Sequence, residues 1–177
     1  MIREKKLKIR VLLVDDHPLV LEGVRSSLLK HDRFEIVGEA SSGPEAIHRA
    51  RESSPDVVVM DFTMPGMNGL EATTCLRSVC PETKVLILTV HEKAEFVREM
   101  IHSGARGYIR KSTSPAEFIS AIECVHRIRA AFAGHLNRPC LAFRESLGIQ
   151  RRDFLNRHGA AVDARAILHW PEQPTVV

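Results

Sequence analysis

The 177 residues, 44% hydrophobic, 27% charged and 5% aromatic, carry enough aliphatic material for one ordinary domain and a remainder. That balance, with 25 basic side chains against 22 acidic ones for a net charge of +3, excludes wholesale disorder and collagen-like or low-complexity architectures. No apolar run approaches the roughly 18 residues of a membrane span, and Asp15-Asp16 follows basic Met1–Lys8 too soon for a secretory core, so a cytoplasmic protein without membrane association is expected.

In chain order, short aliphatic runs alternate with helix-period segments. The first run, Ile9–Val14, is followed by Pro18 near a helix start and by Val20, Val24 and Leu28 at intervals of four. Phe34–Glu39 forms the second run, and Ser42-Gly43-Pro44-Glu45 reads as a capping box that opens the next helix. Val57–Met60 comes third, with Asn68 standing three residues before Glu71 in a similar capping role. After the fourth run, Val85–Thr89, residues Phe96, Val97, Met100 and Ile101 make one apolar stripe that stops at Gly104, with His102 in the last turn. Gly107–Arg110 is fifth, and Ser114-Pro115-Ala116-Glu117 caps a final helix striped by Phe118, Ala121, Ile122 and Val125.

Five such repetitions predict an α/β domain, (βα)5, with a doubly wound parallel sheet. The first, third and fourth runs are nearly continuous Val, Ile and Leu, as strands buried on both faces require. The second and fifth are more polar and suit sheet edges. The cysteines, Cys75, Cys80, Cys124 and Cys140, have no C-x-x-C spacing and read as ordinary reduced thiols.

In open parallel sheets, ligands bind beyond the carboxyl ends of the strands, where the strand order reverses. At that edge the sequence places Asp15 and Asp16 after the first strand, Asp61 after the third, Thr89 at the end of the fourth and Lys111 after the fifth. Two carboxylates at 4 Å repel by about 1 kcal/mol in water and about 4 kcal/mol at an effective dielectric of 20, so three of them require a cation. Oxygen-only donors favour Mg²⁺ over Zn²⁺, which prefers His or Cys. A metal held by Asp15, Asp16 and Asp61 beside a fixed lysine is a receptacle for a phosphoryl group, with Asp61 as nucleophile and Thr89 and Lys111 as partners of the phosphoryl oxygens. Taken singly, each residue has a plainer role: Asp16 before His17-Pro18 suits a helix cap, Lys111 a solvated amine and Thr89 a strand residue. Their joint placement favours the chemical reading.

Four stretches resemble a known family. Val11-Leu-Leu-Val-Asp15-Asp16-His-Pro, Asp61-Phe-Thr-Met-Pro65-Gly-Met-Asn-Gly69, Val85-Leu-Ile-Leu-Thr89-Val-His and Gly104-Ala-Arg-Gly-Tyr-Ile-Arg-Lys111 are similar to receiver domains of two-component response regulators, especially the NarL/FixJ-like subgroup. The resemblance covers about two-thirds of the chain. It implies a flavodoxin-like sheet in the order 2-1-3-4-5, Asp61 as phosphoacceptor, and a Mg²⁺ site of Asp15, Asp16, Asp61 and the Thr63 backbone carbonyl. It further implies Thr89 and Lys111 as the switch pair and Tyr108 as an aromatic that turns inward, although a lone edge-strand Tyr equally suits packing with a wet hydroxyl. Pro65 would shape the loop after the nucleophile and Gly69 would open the third helix.

The implied partner is a sensor histidine kinase, and the gain of negative charge would shift an equilibrium in the fourth and fifth βα segments. An output surface is expected on Phe96–Ile101, Tyr108 and Phe118–Val125, with a homodimer through that helix 4–strand 5–helix 5 face or through helices 1 and 5. Two residues depart from the family pattern. Ser112 follows the lysine where many receivers have proline, and Val90 is bulkier than the usual Ala or Gly, which is expected to restrict access to the phosphoryl group.

Composition changes near Ile128. Residues 1–127 hold 18 basic and 18 acidic side chains, whereas 128–177 hold 7 and 4, and every basic residue of that tail is Arg. The expected organisation is a basic lead over 1–8, the receiver over 9–128 and an irregular or weakly helical tail over 129–177 with no recognisable helix-turn-helix. DNA binding is not expected from this chain alone. Leu141, Leu147, Phe154 and Leu155 make one weak helix interrupted by Gly148, and Ala160–Trp170 makes a second. A truncated or frameshifted transcriptional regulator is the alternative reading. A Mg²⁺-dependent aspartyl-phosphate phosphatase is the enzyme rival, but it wants an acidic residue two positions after the nucleophile, where Thr63 stands; a dedicated enzyme is therefore not expected.

Overall fold

Strands β1 (Ile9–Val14), β2 (Phe34–Ala40), β3 (Val57–Asp61), β4 (Lys84–Thr89) and β5 (Gly107–Arg110) alternate with helices α1 (Pro18–Leu28), α2 (Gly43–Ser53), α3 (Gly69–Val79), α4 (Ala94–Ser103) and α5 (Pro115–Arg127). The computed structural model describes residues 8–90 and 94–127. Expectations for the lead before Lys8, for Cys140 and for the tail over 129–177 lie outside the described residues.

All neighbouring strands pair in parallel, in the expected order β2-β1-β3-β4-β5. Helices α1 and α5 pack on each other, while α2 packs on α3 and α3 on α4, so the sheet is covered on both faces. Every residue of β3 is buried, and Leu12, Leu76, Leu86, Ile87, Met100 and Ile122 have at most a trace of exposure. Each such side chain contributes about 1.5–3 kcal/mol relative to an exposed one. The edge strand β2 is mostly half-buried, and its register slips by one residue where Val11 pairs with Ile36 but Leu12 pairs with Gly38.

Three strands run one residue beyond the expected bounds, to Ala40, to Asp61 and from Lys84. The ladder continues that far in each case: Val14 pairs with Ala40, Asp61 with Leu88 and Val57 with Lys84. Asp61 is therefore the last residue of β3 and not the first residue after it.

Two of the three expected capping boxes form. The Asn68 side chain accepts from the Leu70 and Glu71 N–H groups at 2.9 and 3.0 Å, while Glu71 accepts from the Asn68 N–H. The Glu117 carboxylate accepts from the Ser114 N–H and hydroxyl, and the Ser114 hydroxyl accepts from the Glu117 N–H. At α2 the box does not close. Glu45 reaches past Ser42 to the Ser41 N–H at 2.9 Å and also holds Arg49 one turn later, which leaves Ser42 without a side-chain cap hydrogen bond. Those contacts hold the Glu45 carboxyl below its ordinary range, the Ser41 backbone hydrogen bond first and Arg49 second.

The α4 stripe is confirmed at two positions. Met100 is fully buried, and the half-buried Phe96 packs edge-on against Phe62 with ring centroids 5.5 Å apart. The side chains of Val97 and Ile101 lie outside the description. Gly104 ends the helix in the left-handed region at φ 99, where a Cβ would be strained.

Met100, Tyr108, Phe118, Ala121, Ile122 and Val125 all belong to the domain's own core. The 3.6-residue period of α4 and α5 turns their apolar side chains toward the sheet, and alternation along β5 turns Tyr108 into the core. The expected α4–β5–α5 face meets solvent through Arg98, Glu99, His102, Arg110 and Ser120. Cys75 and Cys80 are free thiols, as expected.

Candidate functional site

The strand order reverses at β1, which has β2 on one side and β3 on the other. Val14 pairs with Met60 across β1 and β3, so the residues that follow, Asp15 and Asp61, emerge side by side at the carboxyl edge. Donor atoms of Asp15, Asp16, His17 and Asp61 all lie within 4.8 Å of one another. Asp15 and Asp61 are almost wholly buried, with 1% and 2% exposure, while Asp16 is one-quarter exposed.

Lys111 follows β5 and reaches this cluster. Its Nζ lies 2.7 Å from Asp15 Oδ2 and 3.0 Å from Asp61 Oδ1. The Lys111 N–H donates to the Thr89 carbonyl at 2.9 Å, which ties the β5–α5 connection to the end of β4. Asp61 Oδ1 also accepts from the Thr63 N–H at 3.3 Å, whereas Asp61 Oδ2 is buried with no hydrogen-bond partner.

These contacts set the charges. Burial pushes the Asp61 carboxyl above its ordinary range, with the nearby Asp15 carboxylate adding to the rise and Lys111 opposing it. Burial works against the Lys111 charge too, but its contacts with Asp15 and Asp61 outweigh that and hold the ammonium above its ordinary value. One lysine thus offsets part of the repulsion among three carboxylates.

The donor set fits a hard divalent cation. Three carboxylates converge, and a buried carboxylate oxygen without a partner is costly unless a ligand completes it. Asp15, Asp16 and Asp61 are the side chains that would hold Mg²⁺.

The loop after Asp61 is held close. A Cβ on Gly69 would stand 2.1 Å from the Asp61 backbone carbonyl oxygen, and the Gly69 N–H donates to the Phe62 carbonyl at 3.0 Å. Only glycine permits that approach, so α3 begins directly against the acidic residue. Thr63 and Pro65 are exposed in between, and Gly66 takes φ 76.

Thr89 is buried at the end of β4, and Val90 beyond it is 68% exposed. The Tyr108 ring is buried on β5 and its hydroxyl is shielded from solvent, so the wet-hydroxyl alternative does not hold. Asp16 does not cap α1: His17 occupies the N-cap position, and the helix has no side-chain cap hydrogen bond.

His17 is the residue that sequence reasoning missed. Its Nδ1 lies 3.1 Å from Asp15 Oδ1 and 2.9 Å from Asp16 Oδ1, and its N–H donates to Asp15 Oδ1 at 2.9 Å. Its position directly after the acidic pair was the available signal.

Comparison with known proteins agrees with this geometry. The response regulator receiver domain family matches residues 11–123. The response regulator GacA of Pseudomonas viridiflava is 46% identical over 117 residues, which are 66% of this chain and 55% of that protein. The response regulator UvrY of Escherichia coli is 42% identical over 118 residues, covering 67% and 54%. The chain therefore spans about half the length of the curated relatives it matches. Among solved structures, a LuxR-family two-component response regulator from Aurantimonas sp. SI85-9A1 is 41% identical at TM-score 0.65, covering 67% of this chain and 85% of that one. The receiver domain of a putative NarL regulator from Mycobacterium tuberculosis is 33% identical at TM-score 0.67, covering 70% and 99%.

Proposed function

The chain belongs to the response regulator receiver domain family, and from that premise we propose that it accepts a phosphoryl group on Asp61 from a sensor histidine kinase. The observation that carries this reading is the division of labour on the Asp61 carboxylate. Lys111 and the Thr63 N–H engage Oδ1, while buried Oδ2 is left without a partner.

In the transfer, the Asp61 carboxylate attacks the phosphorus of a phosphohistidine. The new P–O bond forms as the P–N bond breaks, and the departing imidazole keeps the electron pair and takes a proton from solvent. Asp15, Asp16, Asp61 and the Thr63 backbone carbonyl would hold Mg²⁺, which would supply neutralisation of charge on the phosphoryl oxygens. Lys111 already stands beside Asp61 and pairs with one of those oxygens, and the Thr89 hydroxyl donates to another.

Phosphorylation brings about −1.5 to −2 of charge to the end of β3. Lys111 and Thr89 then settle on the phosphoryl group, and because the Lys111 backbone is tied to Thr89, the β4–α4 and β5–α5 connections move as a unit. Buried Tyr108 on β5 is the aromatic reporter of that shift. The output is a change at the α4–β5–α5 face or at α1 and α5, read by a second copy or a partner. The protein is a signalling switch and not a dedicated enzyme. No described helix is long and apolar enough to cross a membrane.

Labelling with a small phosphodonor, with and without Mg²⁺, tests the assignment. Acid-labile label that requires Mg²⁺ and disappears in Asp61→Asn, with the circular dichroism spectrum retained, is the expected result. Label that persists in Asp61→Asn refutes it. Sizing both forms of the wild type then reports whether phosphorylation changes the oligomeric state.

A further inference from the structure

Phe62 follows Asp61 directly, and its main chain is held on both sides. The Phe62 N–H donates to the Leu88 carbonyl of β4 at 2.8 Å, and the Phe62 carbonyl accepts from the Gly69 N–H of α3 at 3.0 Å. The half-buried Phe62 ring meets Phe96 of α4 edge-on, with centroids 5.5 Å apart and planes inclined by 77°. One turn further along α4, Met100 is fully buried in the core, so the helix face that carries Phe96 is anchored to the domain. With its backbone fixed by β4 and α3, a displacement of the Phe62 ring passes to the adjoining Asp61 instead of being taken up by slack in the loop.

We infer that Phe96 is a positioning residue for phosphoryl transfer: through the ring of Phe62 it holds the Asp61 carboxylate in the placement that accepts the phosphoryl group. This role presupposes that Asp61 is the phosphoacceptor. Three contacts then set the acceptor segment, β4 through Leu88, α3 through Gly69 and α4 through the aromatic pair. The first two are backbone hydrogen bonds and do not depend on the side chain at position 62, whereas the third requires a ring on each side. An edge-to-face pair is directional, because the positive edge of one ring meets the negative face of the other. It therefore resists sliding of α4 past the segment after Asp61 more than an aliphatic contact of the same area does. Small errors of placement at a reacting group are expensive, with about 1 Å costing on the order of 100-fold in rate. The position of α4 thereby bears on how fast Asp61 is phosphorylated as well as on the output that follows.

A double-mutant cycle of Phe62→Leu, Phe96→Leu and the two combined, with Phe96→Tyr as the variant that keeps the ring, tests this on the full chain. Labelling by acetyl phosphate in Mg²⁺ is followed per folded molecule, and Phe96→Met serves the same comparison if Phe96→Leu does not fold. Phe96→Leu is expected to lower the maximal labelling rate by about three- to tenfold, with the half-saturating concentration of acetyl phosphate unchanged. Phe96→Tyr should restore the rate, and the combined variant should be no slower than the slower single one. In metal-free protein, the backbone amide resonances of Asp61 and Thr63 are expected to move in Phe96→Leu and to stay in place in Phe96→Tyr. A wild-type rate in Phe96→Leu, losses that add in the combined variant, a Phe96→Tyr as slow as Phe96→Leu, or unmoved resonances overturn the role of Phe96. Failure of the phosphoacceptor reading looks different: acetyl phosphate then leaves no Asp61-dependent label on the wild type, while the resonances still report whether Phe96 holds the Asp61 segment.

Discussion

Lys111 Nζ lies 3.0 Å from Asp61 Oδ1 and only 2.7 Å from Asp15 Oδ2, so a single ammonium bridges the carboxylates of two neighbouring strands. Both acids are almost wholly buried, and removal of their cation leaves uncompensated charge in a dry setting. Because Lys111 sits at a rim with 18% side-chain exposure, the penalty falls below that of a deep ion pair. Lys111→Met is expected to lower stability by about 2–3 kcal/mol in metal-free buffer. Urea denaturation with and without Mg²⁺ checks this, and the variant should be stabilised by the ion more than the wild type is.

Asp61→Asn should act in the opposite direction. Burial, with Asp15 adding, raises the Asp61 carboxyl above its ordinary value of 3.8. The folded state therefore binds more protons than the unfolded state above that value. The stability Asp61 allows is greatest below pH 3.8 and is lost as pH rises through the folded value. Neutral Asn escapes that loss, so metal-free Asp61→Asn is expected to exceed the wild type by about 1–2 kcal/mol at pH 7. The gap should close toward pH 4, and thermal melts across that range would show it. A gap that widens on acidification would contradict the raised value.

Gly69 offers a geometric test of how the acceptor is held. A methyl group there would meet the Asp61 carbonyl oxygen at 2.1 Å, and a backbone atom cannot swing aside as a side chain can. Gly69→Ala is expected to cost about 3 kcal/mol. Because the displaced atom belongs to the acceptor's own backbone, phosphodonor labelling per folded molecule should fall as well. Labelling at the wild-type level in the folded fraction would show that the loop relaxes without disturbing Asp61.

The legible part of this fold was what short-range chemistry dictates. The end of β1 matched because its aliphatic run meets Asp15 abruptly, and β5 ended as expected at Arg110, directly before Lys111. The ends of β2 and β3 ran further because pairing partners, Val14 and Leu88, were available on neighbouring strands, which no local pattern reveals. The Asn68 and Ser114 boxes were readable from spacing alone, but the same spacing misled at Ser42, since Arg49 and Ser41 compete for Glu45. In the site, topology sufficed to bring Asp15, Asp16, Asp61 and Lys111 together. The bridge from Lys111 to Asp15 depends on side-chain directions that no local pattern carries, whereas the place of His17 directly after the acidic pair was a legible signal.

His126 provides a pH test far from the acidic cluster. It lies in the last turn of α5 with Nδ1 buried and unpartnered, and its carbonyl accepts from Lys84 Nζ at 3.1 Å. Burial, followed by the Lys84 charge, holds the imidazole below its ordinary value of 6.5; Arg127 adds to that, while Asp56 and Glu123 oppose it. The unfolded chain therefore binds the proton more readily than the folded one just below that value. Stability contributed by the neutral ring is present above pH 6.5 and is lost as pH falls through the folded value. His126→Gln removes this term, so its urea midpoint should fall less than the wild-type midpoint between pH 7.5 and 5.5. Parallel midpoints in the two proteins would show that the end of α5 opens enough to hydrate the charged ring.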